Sequence, residues 1–139
     1  VIILDTNVLS ELMRPAPAQA VVRWFATRPA ATVYTTSVTQ GEILYGVLLL
    51  PASRRRRGIE AAARAMFEED LAGRVLPFDA GAAAHYADIA AARRRAGRPI
   101  SQSDAQIAAI ARAAGAAIAT RNVGDFGGCG VDVIDPWTA

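Results

Sequence analysis

Short apolar runs alternate with amphipathic stretches along this chain, and the alternation predicts its elements. Val1-Ile2-Ile3-Leu4 is continuous, apolar and rich in β-branched residues, the pattern of a buried strand. Asp5 ends it, and a short helix follows over residues 6–13. Pro15 and Pro17 break that helix and admit another over 18–27, with Val21, Val22, Trp24 and Phe25 partly buried. Val33-Tyr34-Thr35-Thr36 predicts a second strand. Ser37 is a good N-cap for the next helix, which carries Glu42, Tyr45, Val47 and Leu48. Pro51 closes that helix, Ser53 caps a long one over 54–71, and Gly73 stops it. Residues 74–78 predict a third strand. Asp79 caps a helix that runs to about residue 95, where Gly97-Arg98-Pro99 halts it. Ser103-Asp104 opens an Ala/Ile-rich helix ending at Gly115, and residues 116–119 and 131–134 predict two last strands.

Strands separated by helices imply an α/β fold, with a mostly parallel sheet of four to five strands covered by helices on both faces. Residues 1–139 make one domain of ordinary size, without internal repeat or low-complexity linker. In such sheets, ligands bind beyond the carboxyl ends of the strands. Asp5 follows the first strand, Glu42 lies in the early turns of the helix after the second, and Asp125 comes shortly after the fourth. Asp104 opens the helix leading into that fourth strand. A common acidic pocket is therefore expected from four carboxylates, out of thirteen, that lie far apart in sequence. Gathered carboxylates repel unless a cation holds them, and hard divalent cations take oxygen ligands.

Composition narrows the chemistry. Hydrophobic residues are 53% and charged residues 20%, the balance of a globular chain. All fifteen basic residues are Arg. Without Lys there is no P-loop and no Schiff-base chemistry, and a phospho-receiver domain is disfavoured for the same reason. An aspartyl phosphatase using Asp5 would carry a second Asp where Asn7 stands. The single Cys129 permits no internal disulfide or cysteine cluster. Apolar runs such as 43–50 fall well short of the roughly 20 residues of a membrane span, and no charged-then-apolar leader opens the chain. A cytoplasmic protein without membrane contact is the expectation.

Four stretches together resemble the PIN-domain ribonucleases, specifically the VapC/FitB type of toxin from bacterial toxin–antitoxin pairs. They are Leu4-Asp5-Thr6-Asn7-Val8-Leu9-Ser10-Glu11, Val38-Thr39-Gln40-Gly41-Glu42-Ile43-Leu44-Tyr45-Gly46, Ile100-Ser101-Gln102-Ser103-Asp104-Ala105-Gln106-Ile107-Ala108 and Ala119-Thr120-Arg121-Asn122-Val123-Gly124-Asp125-Phe126. Each is weak alone, but the four stand in family order and span nearly the whole chain. Asp5, Glu42 and Asp104 fall on the family's invariant acidic positions. Asp125 falls on the more variable fourth, and in some relatives that acid lies nearer to where Asn122 stands.

The resemblance implies an endoribonuclease dependent on Mg²⁺ or Mn²⁺. Asp5, Asp104 and Asp125 would hold one ion, and Glu42 would hold a second or orient the attacking water. Thr6, Asn7, Thr120 and Asn122 would support them. It also implies an RNA substrate, a cognate VapB/FitA-like antitoxin, operator DNA bound only through that antitoxin, and a homodimer formed by apolar helices around residues 21–25 and 43–50. A catalytically weak PIN-fold binding partner within an antitoxin–operator complex is the alternative.

The Arg-rich segments read less sharply. Residues 54–57 are four consecutive Arg opening a helix, where positive charge opposes the helix dipole. Arg93, Arg94, Arg95 and Arg98 flank the loop before Asp104 and are the better candidates for RNA phosphates. Both groups also suit a solvated face. His85 is expected to pack or face solvent, and Cys129 is expected to be inert.

Overall fold

In a computed structural model of the chain, which describes all of residues 1–139, five parallel strands form one sheet. They are β1 (Ile2–Leu4), β2 (Val33–Thr36), β3 (Val75–Leu76), β4 (Ala117–Ala119) and β5 (Val133–Ile134), in the order β3-β2-β1-β4-β5. Ile2, Ile3 and Leu4 pair with Ala117, Ile118 and Ala119, and Ile2 and Ile3 also pair with Val33 and Tyr34. β1 is therefore central and buried on both faces, which is why its sequence is a continuous apolar run.

The two-residue period of the strands divides the interior into two cores. Ile3 and Ile118 face one way, against α5 (Ala80–Arg95) and α6 (Gln102–Ala114). Leu4 and Ala119 face the other way, against α1 (Thr6–Leu12), α2 (Gln19–Ala26), α3 (Ser37–Leu48) and α4 (Arg54–Ala65). Alanines on α6 let it lie close to the sheet: Ala105, Ala108, Ala109 and Ala111 are all buried. Gly115 closes α6 with φ of 63°, a left-handed conformation that glycine adopts without a Cβ clash. No helix is long and apolar enough to cross a membrane.

Several boundaries differ from those the sequence predicts. Thr36, not Ser37, caps α3 by accepting a hydrogen bond from the Thr39 amide at 3.1 Å. Ser101, not Ser103, caps α6, accepting from the Asp104 amide at 3.2 Å. Asp104 consequently sits inside the first turn instead of opening the helix. The long helix expected over 54–71 is α-helical only to Ala65. It then widens into a π turn (Met66–Asp70), where the Leu71 amide reaches the Met66 carbonyl at 2.9 Å. This turn places Phe67 and Leu71 in the second core. The third and fifth strands pair over only two residues each.

Candidate active site

Asp5 leaves the end of β1 and is almost wholly buried. Its Oδ1 accepts the Thr6 amide at 2.8 Å, capping α1. Its Oδ2 accepts the Thr120 hydroxyl at 2.8 Å, with Asn7 Nδ2 at 3.4 Å. Thr120 Oγ1 in turn accepts Asn7 Nδ2 and the Asn122 amide, each at 3.1 Å. One hydroxyl proton and two lone pairs are thereby all used. Asn7 Oδ1 accepts the Arg121 amide at 3.1 Å. These bonds join the carboxyl ends of β1 and β4 and fix the direction of Asp5.

Glu42 approaches from α3. It is exposed, yet its Oε1 accepts the Thr6 hydroxyl at 2.8 Å, and Thr6 Oγ1 also pairs with Thr39 Oγ1 at 3.1 Å. Thr39 stands in the second of the four family-like stretches but is not among the supporting residues expected from them. Asp104 is half-buried on the first turn of α6, and Asp125 is exposed on a short 3₁₀ turn (Val123–Phe126) anchored by buried Phe126. A pocket of about 230 Å³ joins Asp104 and Asp125 with Ser101, Ile100, Pro99 and Arg93.

The four acids share one electrostatic neighbourhood. Burial is the main force raising the Asp5 pKa above the ordinary carboxylate range. The Thr120 and Thr6 hydrogen bonds pull it back, and the charges of Asp104 and Glu42 push it further up. Asp104 is raised too, again chiefly by burial, with Asp125 and Glu42 adding to the rise and Ser101 and Arg93 opposing it. The carboxylates do not converge tightly enough in this conformation for any three to form a ready coordination sphere. Their all-oxygen chemistry suits a hard divalent cation.

The PIN domain family matches residues 2–126. The chain belongs to the PIN-domain family. It is 40% identical over 136 residues to the VapC ribonuclease Y4jK of Sinorhizobium fredii, covering 98% of this chain and 97% of that protein. Against the toxin FitB of Neisseria gonorrhoeae it is 37% identical over 136 residues, 98% of each. The solved FitAB complex bound to an IR36 DNA fragment superimposes with a TM-score of 0.93 at 36% identity, covering 99% of this chain and 96% of that one. The resemblance to VapC/FitB toxins is thus supported along the full length of this PIN chain.

The basic segments separate sharply. Arg94, Arg95 and Arg98 are exposed, but Arg93 is buried and its guanidinium is turned inward onto backbone carbonyls. The assignment of Arg93 to RNA contact is therefore corrected: its Nε and Nη1 are committed to backbone carbonyls of the fold. Of the Arg run, Arg56 returns to the Leu50 carbonyl at 3.3 Å, and the other three are exposed. Cys129 is buried beside Arg93. His85 is half-buried on α5.

Proposed function

We propose that this chain is the toxin of a toxin–antitoxin pair and acts as an endoribonuclease dependent on Mg²⁺ or Mn²⁺. The observation that carries the reading is that acids from four separated segments lie near the carboxyl edge of a parallel sheet, where Asp5 feels the charges of Asp104 and Glu42, and Asp104 those of Asp125 and Glu42. Family membership supports the same chemistry.

A bound divalent ion would neutralise phosphate oxygens and lower the pKa of an attacking water. The ligands we assign to it are Asp5, Asp104 and Asp125. Glu42 would hold a second ion or orient the attacking water, and its carboxylate accepts the Thr6 hydroxyl. Thr120 and Asn7 aim the Asp5 carboxylate, and the Asn122 amide extends that support through Thr120. Arg94, Arg95 and Arg98 supply positive charge for the RNA backbone. By similarity to the FitAB complex, the partner is a VapB/FitA-like antitoxin through which operator DNA is bound. The apolar side chains exposed on α2 and α3 form a homodimer contact. A cytoplasmic site of action follows from a cellular RNA substrate.

A second reading, a weakly catalytic member of an antitoxin–operator complex, is favoured by the looseness of the acidic group and by the relative solved on DNA. Cleavage of labelled total RNA by antitoxin-free protein, in Mg²⁺ or Mn²⁺ against EDTA, separates the two. Discrete metal-dependent fragments that vanish with Asp5→Ala support the nuclease. Absence of cleavage in both metals would leave the binding role.

A further inference from the structure

Arg93 is unusual among the fifteen arginines. It lies in the last turn of α5, only 8% exposed, and no carboxylate forms a salt bridge with it. Burying a charge without a counter-ion is costly unless its donors are met. Here Nε donates to the Arg98 carbonyl at 2.7 Å, and Nη1 donates to the carbonyls of Asp125 at 2.8 Å and Gly127 at 3.0 Å, with Cys129 Sγ at 3.8 Å. One planar group thus binds two loops. The first is the turn through Gly97 and Pro99 that delivers Ser101 and Asp104. The second is the 3₁₀ turn that carries Asp125.

From this we infer that Arg93 is a positioning residue, holding the loop of Asp125 against the loop that delivers Asp104 so that both acids line one pocket. Asp125 is exposed on a single short turn, steadied otherwise by Phe126 beneath it and by its own amide on the Asn122 carbonyl at 3.0 Å. A backbone clamp on the Asp125 carbonyl sets where that carboxylate can reach. The work is done by the fork: a Lys ammonium is a compact point charge and cannot span three carbonyls in one plane. The inference rests on the reading of Asp104 and Asp125 as acids of the nuclease site.

The test uses Arg93→Lys and Arg93→Gln in the full chain, alone and combined with Asp125→Asn. Hydrogen exchange by mass spectrometry, Mn²⁺ binding by calorimetry, and kcat and KM on RNA are measured. In Arg93→Lys, exchange of amides within 97–101 and 123–129 should rise on the order of tenfold, with the sheet unchanged. Mn²⁺ affinity should fall by about 10–100-fold. The loss in cleavage should lie in kcat, with KM held within about twofold. Arg93→Lys should add little to Asp125→Asn.

Unchanged exchange and Mn²⁺ affinity would overturn the inference. So would a raised KM with weaker salt dependence, which marks direct RNA contact, or global unfolding of both variants, which marks a general stability role. If the wild-type protein neither bound Mn²⁺ nor cut RNA, the nuclease reading would fail. Exchange alone would then decide whether Arg93 holds the two loops.

Discussion

The Thr120 hydroxyl donates to Asp5 Oδ2 at 2.8 Å across 115 positions of sequence. It is one of the bonds that lower the pKa of a carboxylate raised by burial. Thr120→Val keeps the shape but removes this donor, and it strips the acceptor from Asn7 Nδ2 and the Asn122 amide. We expect a folded variant destabilised by about 1–3 kcal/mol, with cleavage slowed about 10–100-fold. Thr120→Ser should stay close to wild type in both. Urea titration and initial cleavage rates check this, and a fully active Thr120→Val would remove Thr120 from the site.

Asp5 and Asp104 are both held above the ordinary carboxylate range. In that interval the folded chain keeps protons that the unfolded chain has released. Their contribution to stability is thus fully present below the unfolded pKa of about 3.9 and is lost as pH rises through the raised values. Without metal, Asp104→Asn should gain thermal stability relative to wild type at pH 7, with the gain shrinking towards pH 4. Mn²⁺ should raise the wild-type melting temperature more at pH 7 than at pH 4. Melts across pH with and without Mn²⁺ read both effects, and an equal Mn²⁺ shift at the two pH values would contradict them.

Glu11 has the opposite sign. Its carboxylate accepts the Ala18 amide at 2.9 Å and pairs with Arg14 at 3.3 Å, and the Ala18 bond is the main cause of its lowered pKa. It joins the end of α1 to the start of α2, where Ala18 offers no side-chain cap. This contribution is present above the unfolded pKa and is lost as pH falls through the lowered one. Glu11→Gln should therefore lower the melting temperature at pH 7, and the difference from wild type should narrow in acid. A penalty that is the same at every pH would show that charge plays no part.

Much of this architecture is written in local pattern. Ile2–Leu4 had to be a two-face-buried strand because its run has no polar break, and Asp5 had to lie at the strand's carboxyl end. A shared pocket for Asp5, Glu42, Asp104 and Asp125 was expected from their places near the strand ends, but in the fold no three of them converge into a ligand cluster. What local pattern could not show was partnership. Ser37 and Ser103 are as good caps as Thr36 and Ser101 by residue type, and only where the first turn begins chooses between them. Arg93 looks like its neighbours Arg94 and Arg95, yet the helix phase turns it alone into the fold. The π turn at Met66–Asp70 answers to packing of Phe67 and Leu71, which no local propensity encodes.

The apolar side chains left in solvent are concentrated on two helices that both pack against α1. On α3 and its last turn, Tyr45, Leu48 and Leu49 are 66%, 49% and 67% exposed, and on α2 Val22 and Phe25 are also exposed. Side chains of this size grouped on a surface mark a contact with another chain, and a stable pair needs roughly 600–1,000 Å² buried on each partner. Placing a charge in such a contact leaves it desolvated and unpaired in the complex and harmless in the free chain. Tyr45→Glu with Leu49→Glu should therefore convert a dimer to a folded monomer by light scattering, with the helical circular dichroism unchanged. Both positions lie outside the network of Asp5, Thr6, Thr39, Thr120 and Glu42, so Mn²⁺ affinity should be retained. A wild-type chain that stays monomeric at high micromolar concentration would refute the homodimer and leave this surface to the antitoxin.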